Sequence, residues 1–141
     1  MGRPTAQSST YDNSWDYDIS KASNAVDGNY KQCETSQKSV SQTKIDKAPW
    51  WLVVLDGVYK VNTVILYSPT EYPASLSNIN IYVEDFGGKK SLCATTGSIK
   101  DIPKKEFTCR SSAVGNVVFL QKEGRGTIKL CEIKVYGDRG L

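Results

Sequence analysis

The 141-residue chain contains no histidine, and that absence removes more chemistry than any single feature adds. Without an imidazole there is no Ser-His-Asp or Cys-His activation of a nucleophile, no His-liganded zinc and no histidine pH switch. No apolar run approaches the roughly 18 residues of a membrane-spanning helix. There is no CxxC pair of the kind zinc ribbons use, no Asn-x-Ser/Thr glycosylation acceptor, no internal repeat and no low-complexity stretch. Met1 is followed at once by polar residues 2–9 rather than by an apolar leader, as expected of a mature domain. Neither sign of charge dominates: 18 basic and 15 acidic residues leave a net +3, too weak to point to nucleic acid. Carboxylates could in principle pair for glycoside hydrolysis, but no such pair is evident, and an enzyme is not expected.

What is present is an ordinary globular composition, 39% hydrophobic, 23% charged and 10% aromatic, at a length that suits one domain. Four cysteines, Cys33, Cys93, Cys109 and Cys131, lack the tight paired spacing of a zinc site. They read instead as two disulfides of a secreted domain, with three connectivities open. The nested arrangement, Cys93 with Cys109 inside Cys33 with Cys131, is the simplest. On loop entropy its bridges would add roughly 3 and 4.7 kcal/mol. Lysines 89, 90, 100, 104 and 105 read as a solvated face that keeps sheet edges soluble.

Residues 2–50 are polar, turn-rich and poor in periodicity, the pattern of binding loops or an ion site. From Trp50 onward the pattern is β. Residues 51–55 are a continuous apolar run ended by Asp56-Gly57; residues 58–67 are rich in β-branched and aromatic side chains. Residues 78–83 alternate cleanly, and 116–121 and 127–136 supply further strands. With no long amphipathic stretch, helix is expected only as a turn or two around residues 22–26. The last strand changes parity: Ile128 and Leu130 share a face, as do Ile133 and Val135, but the pairs are out of phase. One residue around Cys131-Glu132 must be absorbed as a bulge or bend, which makes Glu132 a plausible corner of a metal site, with a surface salt bridge as the alternative.

The segment Asn24-Ala-Val-Asp27-Gly28-Asn29 sets oxygen ligands at short alternating spacing around a glycine. Such a loop could supply half of a calcium ion's six to eight oxygens, or simply form an Asn/Asp-capped turn. Its spacing is not that of an EF-hand.

Four segments together resemble the fucolectins, the F-type lectins related to discoidin and coagulation-factor type C domains. They are Gly2-Arg-Pro-Thr-Ala-Gln-Ser-Ser9, Ser23-Asn-Ala-Val-Asp-Gly-Asn29, Pro49-Trp-Trp-Leu-Val-Val-Leu55 and Leu130-Cys-Glu-Ile-Lys-Val135. The resemblance implies an all-β fold: an eight-stranded jelly-roll-like sandwich or barrel over residues 2–137, followed by a tail at 138–141. It also implies secretion, nested disulfides Cys33–Cys131 and Cys93–Cys109, and a structural calcium ion. Carried over by position, that ion's ligands are Asn24, Asp27, Asn29, backbone around Gln32 and Cys131, and the Glu132 carboxylate. Trp50 and Trp51 are expected to pack rather than to bind.

Fucose-binding members use one His shortly after the first loop cysteine and two Arg on the loop after the strand that here ends at Tyr67. This chain has Thr35 two positions beyond Cys33, and Pro-Thr-Glu-Tyr-Pro-Ala-Ser at 69–75 has no Arg. The expected function is therefore a non-catalytic lectin with non-standard or lost fucose specificity. Its partner would be a glycan or glycoprotein on a cell or extracellular surface; nucleic acid and membrane insertion are not expected. Trp15, Tyr17, Thr35, Glu71 and Tyr72 are the candidate ligand contacts, with Tyr11, residues 34–38 and the charged loop Lys122, Glu123 and Arg125 nearby. The alternative is a protein–protein adhesion module using the same loops.

Overall fold

The β-branched and aromatic runs pair into antiparallel sheets whose described residues, in a computed structural model, are 3–11, 21–26, 28, 40–68, 76–98 and 104–139. In chain order the strands are β1 (Thr5–Gln7), β2 (Ser41–Gln42), β3 (Trp50–Tyr67), β4 (Ile79–Glu84), β5 (Lys90–Thr95), β6 (Lys104–Lys122), β7 (Lys129–Leu130) and β8 (Glu132–Arg139). A short 3-10 helix, Ala22–Val26, falls where the sequence allows one. The all-β sandwich expected from the sequence is the fold observed. Its larger sheet runs β1-β3-β6-β4-β5 with β8 also on β3, and β2 with β7 forms a second, two-stranded sheet.

Two long strands make the sandwich. Through residues 50–54, β3 pairs with the second half of β6; from Tyr59 onward it pairs with the first half of β6 and with β8. The register shifts between Val54 and Tyr59, so Asp56-Gly57 does not end the strand as its turn chemistry suggests. A turn dipeptide makes a hairpin only if the segments on either side of it pair with each other. Here both pair with β6 instead, and the irregularity carries one strand from layer to layer. A second shift at Asn62 changes the buried parity from Trp51, Val53 and Val61 to Val64 and Leu66. The half-turn lost there is what lets both halves face one core.

That core gathers Trp51, Val64, Leu66, Leu76, Ile79, Ile81, Leu120 and Ile128 at 2% exposure or less. Burying each such side chain is worth about 1.5–3 kcal/mol. Trp51 also donates Nε1–H to Ala22 O at 3.1 Å, tying the 3-10 helix to the core. Trp50 stacks on Phe119 with centroids 5.7 Å apart, so both tryptophans pack as expected. Gly115 sits where β6 crosses the end of β4; a Cβ there would meet Glu84 O at 2.2 Å.

Two expectations shift and one holds. Strand β5 and the first half of β6 were not anticipated, because their lysines read as solvated surface. In place, the Lys90 ammonium lies 4.7 Å from the Phe119 centroid and 3.3 Å from Glu84, and Lys104 and Lys105 lie over Tyr67 and Phe107. Their aliphatic stems are what allow a sheet position, the charged ends reaching out over rings; Lys100 lies outside the described residues. The last strand is interrupted at Cys131, at the position the parity change indicates. Finally, β8 stays paired with β3 through Arg139, two residues past the boundary expected at 137.

The disulfide Cys93–Cys109, with Cα atoms 4.2 Å apart, closes the side where β5 and β6 share no ladder. Replacing both cysteines by serine should lower unfolding free energy by about 3 kcal/mol, the loop entropy of its 16-residue separation. Denaturant melts of the two proteins measure this directly.

Candidate functional site

The chain changes sheets in a single residue. Leu130 pairs with Ser41 in the small sheet and Glu132 with Tyr67 in the large one. Between them Cys131 is fully buried and donates its N–H to Tyr67 O at 3.0 Å. Opposite residues of an antiparallel ladder share a face. The Glu132 side chain therefore lies on Tyr67's side of the sheet, beside the small cluster of Val40, Ile65, Tyr67 and Cys131.

Glu132 is 5% exposed. Its Oε2 accepts the Gly28 N–H at 3.3 Å, a contact between positions 104 apart in sequence. Gly28 has φ +84°, a left-handed conformation that glycine adopts without strain, and this turn brings its amide to the carboxylate. Asn24 is equally buried and donates Nδ2–H to Val40 O at 3.0 Å, which orients its amide. Of the six expected metal ligands, the structure thus brings Asn24, Cys131 and Glu132 into one neighbourhood. Asp27, Asn29 and Gln32 lie outside the described residues. Cys93–Cys109 is formed as expected; Cys131 is disulfide-bonded, and its expected partner Cys33 also lies outside them.

The donor set suits a hard cation. A buried carboxylate, a buried amide and backbone carbonyls at an irregular crossing are all oxygen donors, the kind calcium takes. Among the described residues no three Cys, Asp or Glu side chains gather in one place, so an ion here would depend on amides and carbonyls as well. Val40 and Ser41 escaped the sequence reading. They hold Asn24 Nδ2 and the Leu130 strand respectively, and nothing in local periodicity marks a residue whose partner is 16 or 89 positions away.

The candidate ligand contacts Trp15, Tyr17, Thr35, Glu71 and Tyr72, and residues 34–38, all lie outside the described residues. Tyr11 is described: its N–H bonds Gln42 O at 2.9 Å and its ring is 39% exposed. The loop of Lys122, Glu123 and Arg125 is largely occupied by structure. Lys122 Nζ donates to Ser77 O at 2.7 Å, and burial pushes its pKa below the usual lysine value. Glu123 accepts from Asn80 at 3.1 Å. Away from these loops, Tyr59 donates its hydroxyl to Asp56. This holds the Asp56 carboxyl below the usual range and raises the tyrosine.

Removing the Asn24 amide tests the local geometry. Asn24→Ala leaves Val40 O buried without that donor and should cost about 1–3 kcal/mol in a denaturant melt, with the far Cys93–Cys109 side unaffected.

Comparison with known proteins places this geometry. The F5/F8 type C family described as "NedA-like, galactose-binding domain" matches residues 24–119. Fucolectin-2 of Anguilla japonica is 30% identical over 122 residues, covering 83% of this chain and 67% of the eel protein. A fucose-binding module of Streptococcus pneumoniae, SpX-3, superposes with a TM-score of 0.82 at 26% identity, over 99% of this chain and 96% of the module. The f-lectin (fucolectin) from striped bass serum, Morone saxatilis, gives a TM-score of 0.83 at 27% identity. That match covers 96% of this chain but 45% of the bass chain, so the domain spans less than half of it.

Proposed function

The chain belongs to the fucolectins, F-type lectins of the F5/F8 type C galactose-binding class, and from that premise we propose that it is an extracellular, calcium-stabilised, non-catalytic carbohydrate-recognition domain whose specificity is not for fucose. The observation that carries the specificity reading is in the sequence. Where the family resemblance places a histidine there is Thr35, and residues 69–75 contain no arginine. Each charged donor lost from a sugar site forfeits on the order of 1–3 kcal/mol. With three gone, the usual fucose contacts have no partners.

The buried Glu132 carboxylate supports the calcium reading. Taking a carboxylate almost out of water is costly unless positive charge or donors compensate, and the Gly28 N–H is a neutral one. Asn24, Asp27, Asn29, Gln32, Cys131 and Glu132 are the residues that would hold the ion. Bound there, calcium would pair with the Glu132 carboxylate and tie the stretch from Asn24 to Gln32 to the sheet crossing. The Cys93–Cys109 disulfide agrees with an oxidising compartment, as does the serum source of the bass relative.

Two measurements decide this reading. On a glycan array, a non-fucosylated sugar should be bound and fucosides should not; micromolar binding of simple fucosides overturns the specificity claim. In thermal melts, calcium at a hundred times its Kd should add about 2.7 kcal/mol of stability. Glu132→Gln should abolish that gain. Indifference of the wild-type melt to calcium and chelator would remove the ion from the account.

A further inference from the structure

We infer that the cleft beside Tyr11 and strands β2 and β7 is a sugar subsite selective for a negatively charged saccharide; this rests on the lectin reading above. The cleft holds about 410 Å³, within the roughly 300–1,000 Å³ of small-ligand sites. Its working residues are Tyr11, Gln42, Lys44, Ile45, Thr127 and Lys129.

Three features favour a charged sugar. The first is an exposed apolar face: Tyr11 and Ile45 remain 39% and 65% exposed although they line a concave surface. An aromatic ring beside an aliphatic side chain is what the C–H face of a sugar packs against. The backbone that carries the ring is held in place, since the Tyr11 N–H bonds Gln42 O and Gln7 Nε2 bonds Thr10 Oγ1 at 2.9 Å on the same segment.

The second is hydrogen-bonding capacity facing the cleft. The Thr43 and Thr127 hydroxyls lie 3.1 Å apart and are engaged with each other and with local backbone. The Gln42 side-chain amide and the Lys44 ammonium, by contrast, have no hydrogen-bond partner among the described residues. An amide can donate and accept at once, which suits vicinal hydroxyls.

The third is charge. Among the described residues, two lysines and no carboxylate line the cleft. Asp46, next to Ile45 in sequence, is bonded away from the cleft: its Oδ2 accepts the Ser8 and Ser9 hydroxyls at 2.8 and 2.6 Å, and its backbone pairs with Gly126. A carboxylate or sulfate on a sugar would therefore meet Lys44 in a charge-assisted hydrogen bond.

The test titrates the intact domain, with calcium present, with galactose, galacturonic acid and sulfated galactose, for wild type, Lys44→Gln and Tyr11→Ala. Lys44 is exposed, so its variant should melt like wild type. The expected result is binding of at least one charged sugar about tenfold tighter than galactose, an advantage that shrinks with added salt and is mostly lost in Lys44→Gln. Tyr11→Ala should weaken charged sugars as well. Preference for the carboxylate or the sulfate arm identifies the group recognised. Equal affinity for neutral and charged sugars overturns the subsite while leaving the lectin reading intact, as does a charged-sugar preference that neither variant alters. If the folded wild type binds no sugar here or on the array, both readings fail together.

Discussion

A carboxylate held almost out of water, at the one residue where the chain passes from the small sheet to the large one, is the constraint around which this molecule is arranged. The Glu132 side chain must lie beside Tyr67 because ladder partners share a face. It must also have compensation, because a buried charge without it would undo the fold locally. The turn at Gly28 brings an amide to it. The buried Asn24, bonded to Val40 O, fixes the approach of the short helix. The oxygen-rich loop, the helix and the crossing strand consequently form one unit rather than three features.

The opposite side is organised by a different device. Strands β3 and β6 each run through both layers, and the shifts near Asp56 and Asn62 keep their apolar side chains turned toward a common core. This leaves β5 and the first half of β6 as neighbours without a ladder. The Cys93–Cys109 bridge holds them, and charged side chains populate that region in place of a seam of apolar ones. Lysines over Phe119, Tyr67 and Phe107 serve both solubility and packing. Surface loops in general can vary in sequence without disturbing such a frame, which is the physical basis on which one scaffold can carry different specificities.

Much of the frame was legible in the chain itself. Alternation at residues 78–83 placed β4 to within a residue, and the parity change between Leu130 and Ile133 located the break at Cys131 before any coordinates. The short helix falls at Ala22–Val26, where a turn or two at most is expected. Where the reading failed, it failed on context. Asp56-Gly57 carries strong turn chemistry, yet it lies inside a strand because its flanks pair with β6 and not with each other. Lysine-rich β5 was invisible because local composition cannot show that an ammonium will sit over a ring. Val40 and Gln42 carry no signal at all, since their importance lies in partners brought to them from Asn24 and Tyr11.

The amino-acid sequence by itself determined which chemistries are available: no imidazole, four thiols, hard oxygen donors in one loop, β-forming runs, and no arginine at residues 69–75. These are properties of side-chain identity and of short-range spacing, and they hold in any conformation. Tertiary structure alone decided which groups meet. It set Gly28 against Glu132, a lysine over each of three rings, and Tyr11 and Lys44 on one cleft. Such pairings arise between positions far apart in the chain, and only the register of strands in a packed sandwich brings them within reach of one another.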